Sequence, residues 1–441
     1  MKNRICSFLI CIAAVLLLTG CTAHTLDSFY APPKRSQEHQ ELQTAIDLAM
    51  QGMEYSAPRY GENQQTVQKA DLDGDGQPEY LLFSKSTGEK PLHILVFRQQ
   101  DDHYLLMETI DSSGTNFDRI EYVSIDDKPG SEIVVGMQLN DQVLRSVSVY
   151  TFSSGQSELL MSGNYSQFIT CDLDCDENSE LMILRPGETA EQNGIAEYYS
   201  YGNGIMERST EAPMSRPVEF LKRIMVSKLE NQAPAIYAAS MVDENSLVTD
   251  VFSVVNDTFT NISLSDQPEN SVQTLRNYYV YADDIDDDGI IELPELITMK
   301  GYSEHLKSPE LQHLIRWYSL MPDGTKVDKK YTYHNFDGGW YLELAGETAE
   351  RIWVAQNDGS YIFYLWDNAF NSPKKIITIY AFTGQDREEK AVSDSRFLLY
   401  RTDTVIYACQ INIPSADYDS EQENIINSFH LIRQDWKTGE T

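Results

Sequence analysis

Apolar residues recur along this chain in two rhythms. Between residues 37 and 54 they fall at three- and four-residue steps, at Leu42, Ile46, Ala49, Met50 and Met53, the period of one helix face. Ser36 is placed to cap that helix, so the pattern predicts one short amphipathic helix over 37–54. Beyond it the apolar runs are short and rich in β-branched and aromatic residues: "LHILVFRQ", "SVSVYTF", "LVTDVFSVV", "YIFYLWD", "KKIITIYAFTG" and "RFLLYRTDTVIYACQI". Turn residues separate them, and the region 55–441 is predicted to be mainly β.

The β rhythm carries a repeat. "DLDGDGQPE", opening at Asp71, returns as "DLDCDENSE" at Asp172 and "DIDDDGIIE" at Asp284, with acids at the first, third, fifth and ninth places. A further copy, "SIDDKPGSE" from Ser124, keeps Asp126 and Glu132 but has Ser124 and Lys128 at the other two acidic places. The copies at 71, 124 and 172 are each followed by strand, turn, strand, turn, strand. The starts at 71, 124, 172 and 284 are spaced by 53, 48 and 112, so a degenerate unit is expected in the long gap, at residues 235–264. "RIWVAQNDGSYIFYLWD" and "RFLLYRTDTVIYACQI" suggest two more. About seven units of roughly 50 residues fall within the blade length of a β-propeller.

Alternating acids in a tight turn can aim their carboxylates at one point, which suits a hard cation that accepts six to eight oxygens in flexible geometry. Ca2+ is therefore the expected cofactor. The candidate ligands are Asp71, Asp73, Asp75 and Glu79 with the Gln77 carbonyl; Asp172, Asp174, Asp176 and Glu180 with that of Asn178; and Asp284, Asp286, Asp288 and Glu292 with that of Ile290. Glycine at the fourth or sixth place lets such a turn bend, and Glu177 takes the sixth place of the third copy. An EF-hand is a competing reading for the last copy, where Glu295 stands at the twelfth place. The strand-like "NYYVYA" before it and Pro294 after it oppose the flanking helices an EF-hand needs.

The N-terminus sets the compartment. Lys2 and Arg4 precede an apolar run from Ile5 to Leu18 that is too short to span a bilayer comfortably, followed by Leu18-Thr19-Gly20-Cys21. This resembles the lipobox of bacterial lipoproteins. The resemblance implies a signal peptide over 1–20, lipidation at Cys21, and a polar, proline-bearing tether over 21–36 that holds the folded part on the outer face of the cell membrane. Without Lys2 and Arg4, 32 basic residues face 68 acidic ones, a net charge of −36. Nucleic acid is an improbable partner on that balance. Cys171, Cys175 and Cys409 remain beside the anchor, an odd number that makes no disulfide scaffold; Cys171 and Cys175 flank an acidic loop, and their pairing stays open.

The acidic repeats resemble the FG-GAP and VCBS type repeats of integrin-like and bacterial surface propellers. Together with the lipobox, "YAPPK", the helix and the first "DLDGDGQPEYLLF", they are similar to a group of uncharacterised Gram-positive lipoproteins. The resemblance implies a propeller fold and a calcium loop between blade strands, and no activity; at Ser124 and Lys128 the calcium site is not carried over.

No metalloprotease, nucleophile-elbow or phosphate-loop motif is present, and no sequence rule gathers His93, His305, His313 and His334 into one site. The expected function is a non-catalytic binding or scaffold module with a protein or carbohydrate partner. The competing expectation is an extracytoplasmic hydrolase acting on glycans or peptides at the mouth of a propeller channel.

Overall fold

The computed structural model describes residues 37–433, apart from 102, 140–143, 154, 190–191, 265–272, 278–279, 300–312, 358, 368–371 and 415–417. The signal peptide, Cys21, the tether, Ser36 and His305 lie outside the described residues. Contacts group the chain into two units. The smaller comprises the described residues up to Ala57 with Gln65–Ala70 and Pro78–Ser113; the larger comprises Pro58–Gln64, Asp71–Gln77 and the chain from Gly114 onward.

In the smaller unit, helix α1 (Gln37–Ala49) precedes a sheet of five strands: β1 (Glu54–Tyr55), β2 (Val67–Ala70), β3 (Glu79–Lys85), β4 (Leu92–Gln100) and β5 (His103–Ser112). β3 pairs with β1, β2 and β4, and β5 extends the sheet from β4. One face of α1 packs Leu42 and Ile46 on Tyr80, Leu82, Leu95, Phe97 and Tyr104. Burying two such side chains stabilises the docking by about 2 kcal/mol each. The helix closes at Ala49, short of residue 54, and Glu54 already pairs with Lys85 in β1.

The larger unit holds five further antiparallel sheets in chain order. The second sheet is β6 (Asn116–Val123), β7 (Glu132–Gln138), β8 (Arg145–Ser153) and β9 (Gln156–Tyr165); the third is β10 (Gln167–Cys171), β11 (Glu180–Arg185), β12 (Ile195–Gly202) and β13 (Ile205–Pro213). The fourth is β14 (Leu221–Lys228), β15 (Pro234–Asp243), β16 (Ser246–Val255) and β17 (Thr258–Asn261). The fifth contains β18 (Leu293–Thr298), β19 (His313–Leu320), β20 (Lys326–Asn335) and β21 (Trp340–Leu344), and α2 (Gly346–Ala349) leads out of it. The sixth contains β22 (Ile352–Asn357), β23 (Ser360–Trp366), β24 (Pro373–Phe382), β25 (Phe397–Arg401) and β26 (Ile406–Ile411), with α3 (Arg387–Val392) between β24 and β25. After α4 (Tyr418–Asn427), β27 (Phe429–Leu431) returns to β21 as the fifth strand of the fifth sheet.

Successive sheets in the larger unit share apolar cores. Val134, Val147 and Val149 of the second meet Phe168, Leu181 and Ile183 of the third. Met182, Leu184 and Tyr198 meet Ile236, Phe252 and Phe259 of the fourth, and Tyr237 and Val251 meet Leu293 and Tyr318 of the fifth. Trp340 and Leu342 of the fifth meet Val354, Phe363 and Ile379 of the sixth. Strands buried on both faces read as near-continuous apolar runs, which is why "ELMILR" and "EIVVGMQ" lack strict alternation. A register shift recurs at matching places, at Val96/Phe97, Val149/Tyr150, Tyr198/Tyr199, Trp317/Tyr318 and Phe363/Tyr364, so the repeat extends to the bulges.

The described residues thus form six sheets where about seven units were expected. "RIWVAQNDGSYIFYLWD" and "RFLLYRTDTVIYACQI", read as separate units, are edge and inner strands of one sheet. The excursion through α3 lets β26 pair with β24 and places β25 outside it.

Candidate metal centres

The third and last acidic loops share one internal geometry. Asp172 accepts the amides of Cys175 (2.7 Å), Asp176 (3.2 Å) and Glu177 (3.1 Å), and Asp284 those of Asp288 (3.0 Å) and Gly289 (2.9 Å). The fifth-place Asp176 and Asp288 each accept the amide of the seventh place, Asn178 or Ile290, at 2.8 Å. The ninth-place Glu180 and Glu292 open a strand or its approach, and one oxygen of each accepts the second-place amide, Leu173 at 2.7 Å and Ile285 at 3.1 Å. Carboxylate oxygens of Asp172, Asp174 and Glu180 lie within 4.8 Å of one another, as do those of Asp284, Asp286 and Glu292. First, third and ninth places are therefore brought together, while each fifth-place carboxylate turns an oxygen to the backbone.

The backbone pays attention to the fourth and sixth places, both of which are left-handed: Gly74 and Gly76 (φ +70° and +84°), Cys175 and Glu177 (+66° and +76°), Asp287 and Gly289 (+59° and +84°). Glu177 keeps the turn at a steric cost of about 1 kcal/mol or more. The second place is a buried apolar plug in every copy: Leu72, Ile125, Leu173 and Ile285. The sequence displayed that plug as the Leu or Ile between the first two acids.

In the first copy, Asp71 accepts the amides of Gly74 (2.8 Å) and Gly76 (3.0 Å), and Asp75 accepts that of Gln77 (2.8 Å). Asp71, Asp73, Asp75 and Gln77 belong to the larger unit. Glu79 belongs to the smaller one, where it is buried and accepts Arg98 Nε at 2.9 Å. The second copy meets its carboxylates with the chain's own donors. Lys128 Nζ lies 2.8 Å from Asp126 Oδ2, and the Thr151 hydroxyl donates to Asp126 (3.1 Å) and Glu132 (2.9 Å). Pro129 at its sixth place cannot adopt a positive φ, and the left-handed residue moves to Gly130 (φ +117°).

Burial raises the proton affinity of the ninth-place acids: Glu180 to about 7 and Glu292 to about 8, with the neighbouring aspartates adding to the rise. Asp174 and Asp286 are also raised, first by desolvation and next by Asp176 or Asp288. Asp286 Oδ1 and Glu292 Oε1 are buried and have no hydrogen-bond partner among the described residues. Clustered, desolvated oxygens without donors fit a hard divalent cation, which would replace the missing partners and favour the ionised acids. The last loop docks on the fourth sheet, with Ile291 donating its amide to Ser227 Oγ at 3.1 Å.

The EF-hand reading of the last copy does not hold. Glu295 lies on β18, where Arg316 and Lys326 take its carboxylate, and strands follow the loop. Cys171, Cys175 and Cys409 are free thiols, half-buried, exposed and buried respectively. His334 is half-buried and stacked on Tyr341, its ring centroid 4.9 Å from the tyrosine's, and desolvation of the ring pushes it down to about 3. His313 lies on β19.

Two features escaped sequence reasoning because they join distant residues. In the larger unit, the opening strands β6, β10 and β14 border adjoining cavities of about 280 and 340 Å³ that share Arg119, Gln167 and Phe168. A cavity of about 440 Å³ beside them is lined by Arg145, Gln167, Pro186 and Leu221, among others. In the smaller unit, His93 Nε2 lies 2.7 Å from Ser86 Oγ and His93 Nδ1 lies 2.7 Å from Asp111 Oδ1.

No protein-family model and no curated protein matches the chain. Among solved structures, it is similar to the exotype rhamnogalacturonan lyase YesX at 13% identity and a TM-score of 0.29, covering 74% of this chain and 65% of that one, under two thirds of its length. It is similar to the rhamnogalacturonan lyase YesW at 11% identity and a TM-score of 0.28, covering 73% and 74% of the two chains. A protein from Lactobacillus plantarum follows at 9% identity and 0.27, covering 72% and 85%.

Proposed function

We propose that the chain is a calcium-stabilised, β-propeller-like binding or scaffold module, lipid-anchored through Cys21 on the outer face of the membrane. The observation that carries the calcium reading is the shared geometry of the third and last loops, with clustered carboxylate oxygens and, in the last, two buried oxygens lacking donors. Calcium there would lock the turn between neighbouring strands, a stabilising role. The repeated sheets, consecutive in the chain and packed core to core, support the propeller reading. Its ligand surface is the row of cavities at β6, β10 and β14, where guanidinium, amide and aromatic groups meet.

Calorimetric titration of chelator-stripped mature chain with calcium tests this. Two or three sites with a raised melting temperature are expected, and no heat of binding with an unchanged melting temperature overturns the metal reading. Incorporation of labelled palmitate that disappears in Cys21→Ala is the expected result for the anchor; incorporation that persists overturns it.

A further inference from the structure

We propose that Ser86, His93 and Asp111 form a second functional site, an acyl-ester hydrolase centre carried entirely by the smaller unit. This goes beyond the binding role and does not depend on it. The three residues are placed by strand register. Ser84 pairs with His93 across β3 and β4, and His93 pairs with Asp111 across β4 and β5, so His93 and Asp111 are direct cross-strand neighbours. Ser86 follows two residues after Ser84, at the start of the hairpin loop, and its amide donates to the Pro91 carbonyl at 2.8 Å, closing that loop.

The hydrogen bonds use the correct ring nitrogens for nucleophile activation. In the tautomer with the proton on Nδ1, His93 donates that N–H to the Asp111 carboxylate at 2.7 Å, and its Nε2 lone pair accepts the Ser86 hydroxyl at 2.7 Å. A nucleophile within hydrogen-bond reach of a base, itself oriented by a third group, is the arrangement that activates serine, and it is recognised by geometry rather than by chain order. His93 is 8% exposed, so its ring is held, while Thr87, Gly88, Glu89 and Lys90 beside Ser86 are all exposed. A carbonyl can therefore reach Ser86 without entering a cavity. This suits a small acyl group esterified to a large or extended alcohol.

The reaction balances with water alone. Ser86 Oγ bonds to the ester carbonyl carbon as its proton passes to His93 Nε2. The tetrahedral adduct expels the alcohol, which takes that proton. Water then attacks the acyl-serine, giving its proton to His93, and release of the carboxylic acid returns a proton to Ser86. Ester and water become acid and alcohol. Ser86 and His93 are the catalytic residues; Asp111 is a positioning residue.

The test is labelling of the full mature chain with a fluorophosphonate probe, site-mapped by mass spectrometry, alongside release of p-nitrophenol from p-nitrophenyl acetate. The expected result is one label on Ser86 that is abolished in Ser86→Ala and slowed about 100-fold or more in His93→Ala. Melting temperatures of the variants confirm folding, and His93→Gln serves if His93→Ala does not fold. Asp111→Asn should lower kcat for p-nitrophenyl acetate while leaving KM unchanged, and Asp111→Glu should restore part of the loss; equal activity in Asp111→Asn removes Asp111 from the centre. No label on Ser86 overturns the proposal, and so does a label there that is indifferent to His93.

Discussion

Gly74 and Gly76 stand two residues apart in one loop, both left-handed, and they should respond very differently to the same methyl group. At Gly76 a Cβ would meet nothing within 4 Å, so Gly76→Ala suffers only the cost of a positive φ, about 1 kcal/mol. At Gly74 a Cβ would lie 2.4 Å from Pro129 Cβ, 2.5 Å from the Pro129 carbonyl carbon and 2.7 Å from the Gly130 amide nitrogen. Two of those three atoms are backbone, and the third belongs to a rigid ring. Displacing them adds about 1–3 kcal/mol to the φ cost, giving roughly 2–4 kcal/mol for Gly74→Ala. Equilibrium urea unfolding in chelator, where metal affinity does not enter, measures both. Equal losses at the two positions would refute the close packing of the first loop on the second.

Glu177→Gly should stabilise the chain by about 1 kcal/mol in the same unfolding experiment, since it relieves a left-handed side chain exposed at the loop. Asp174→Asn with Asp286→Asn should lower the melting temperature only when calcium is present; an equal fall in chelator contradicts a metal role. Glu180 and Glu292 hold their protons more tightly when folded, at about 7 and 8, than the ordinary carboxyl at 4.5. The stability this contributes to the metal-free chain is complete below pH 4.5 and is lost as pH rises toward 8, by the order of a few kcal/mol per group. Thermal melts in chelator should therefore fall over that window, and the stabilisation by calcium should grow across it. A flat metal-free profile contradicts the burial of these acids.

What was legible in the sequence was whatever is local. Short apolar runs rich in β-branched and aromatic residues, with turn residues between them, gave the strands; the step from Leu42 to Ile46 gave the helix face, and the spacing of Asp172, Asp174 and Glu180 gave their cluster. Pairing between distant segments left no such trace. The number of sheets depended on whether β26 would pair with β24 across the α3 excursion, which no local pattern states. Ser86 stands in the loop after β3, His93 on β4 and Asp111 on β5, and they become neighbours only through strand register, so a scan for short motifs passes over them. Glu177 was a doubtful turn residue by propensity, yet the turn forms around it, because the Asp172 carboxylate collects its amide and Asp176 caps the next one.

The return of β27 to the fifth sheet bears on how the chain acquires its structure. Phe429 pairs with Leu342 and Leu431 with Trp340, so the edge of β21 waits for a partner that lies beyond the entire sixth sheet. Until that segment has emerged, β21 presents unsatisfied amides and carbonyls, an open edge of the kind that recruits other strands. Pairing at such sequence separation is slow, because the loop must close before any contact rewards it. A chain cut short before Phe429 would leave Trp340 without the ring of Phe429 stacked 5.4 Å away. The closing of the β21 edge thus depends on a segment made only after the whole sixth sheet, and a chain lacking β27 would leave that edge open.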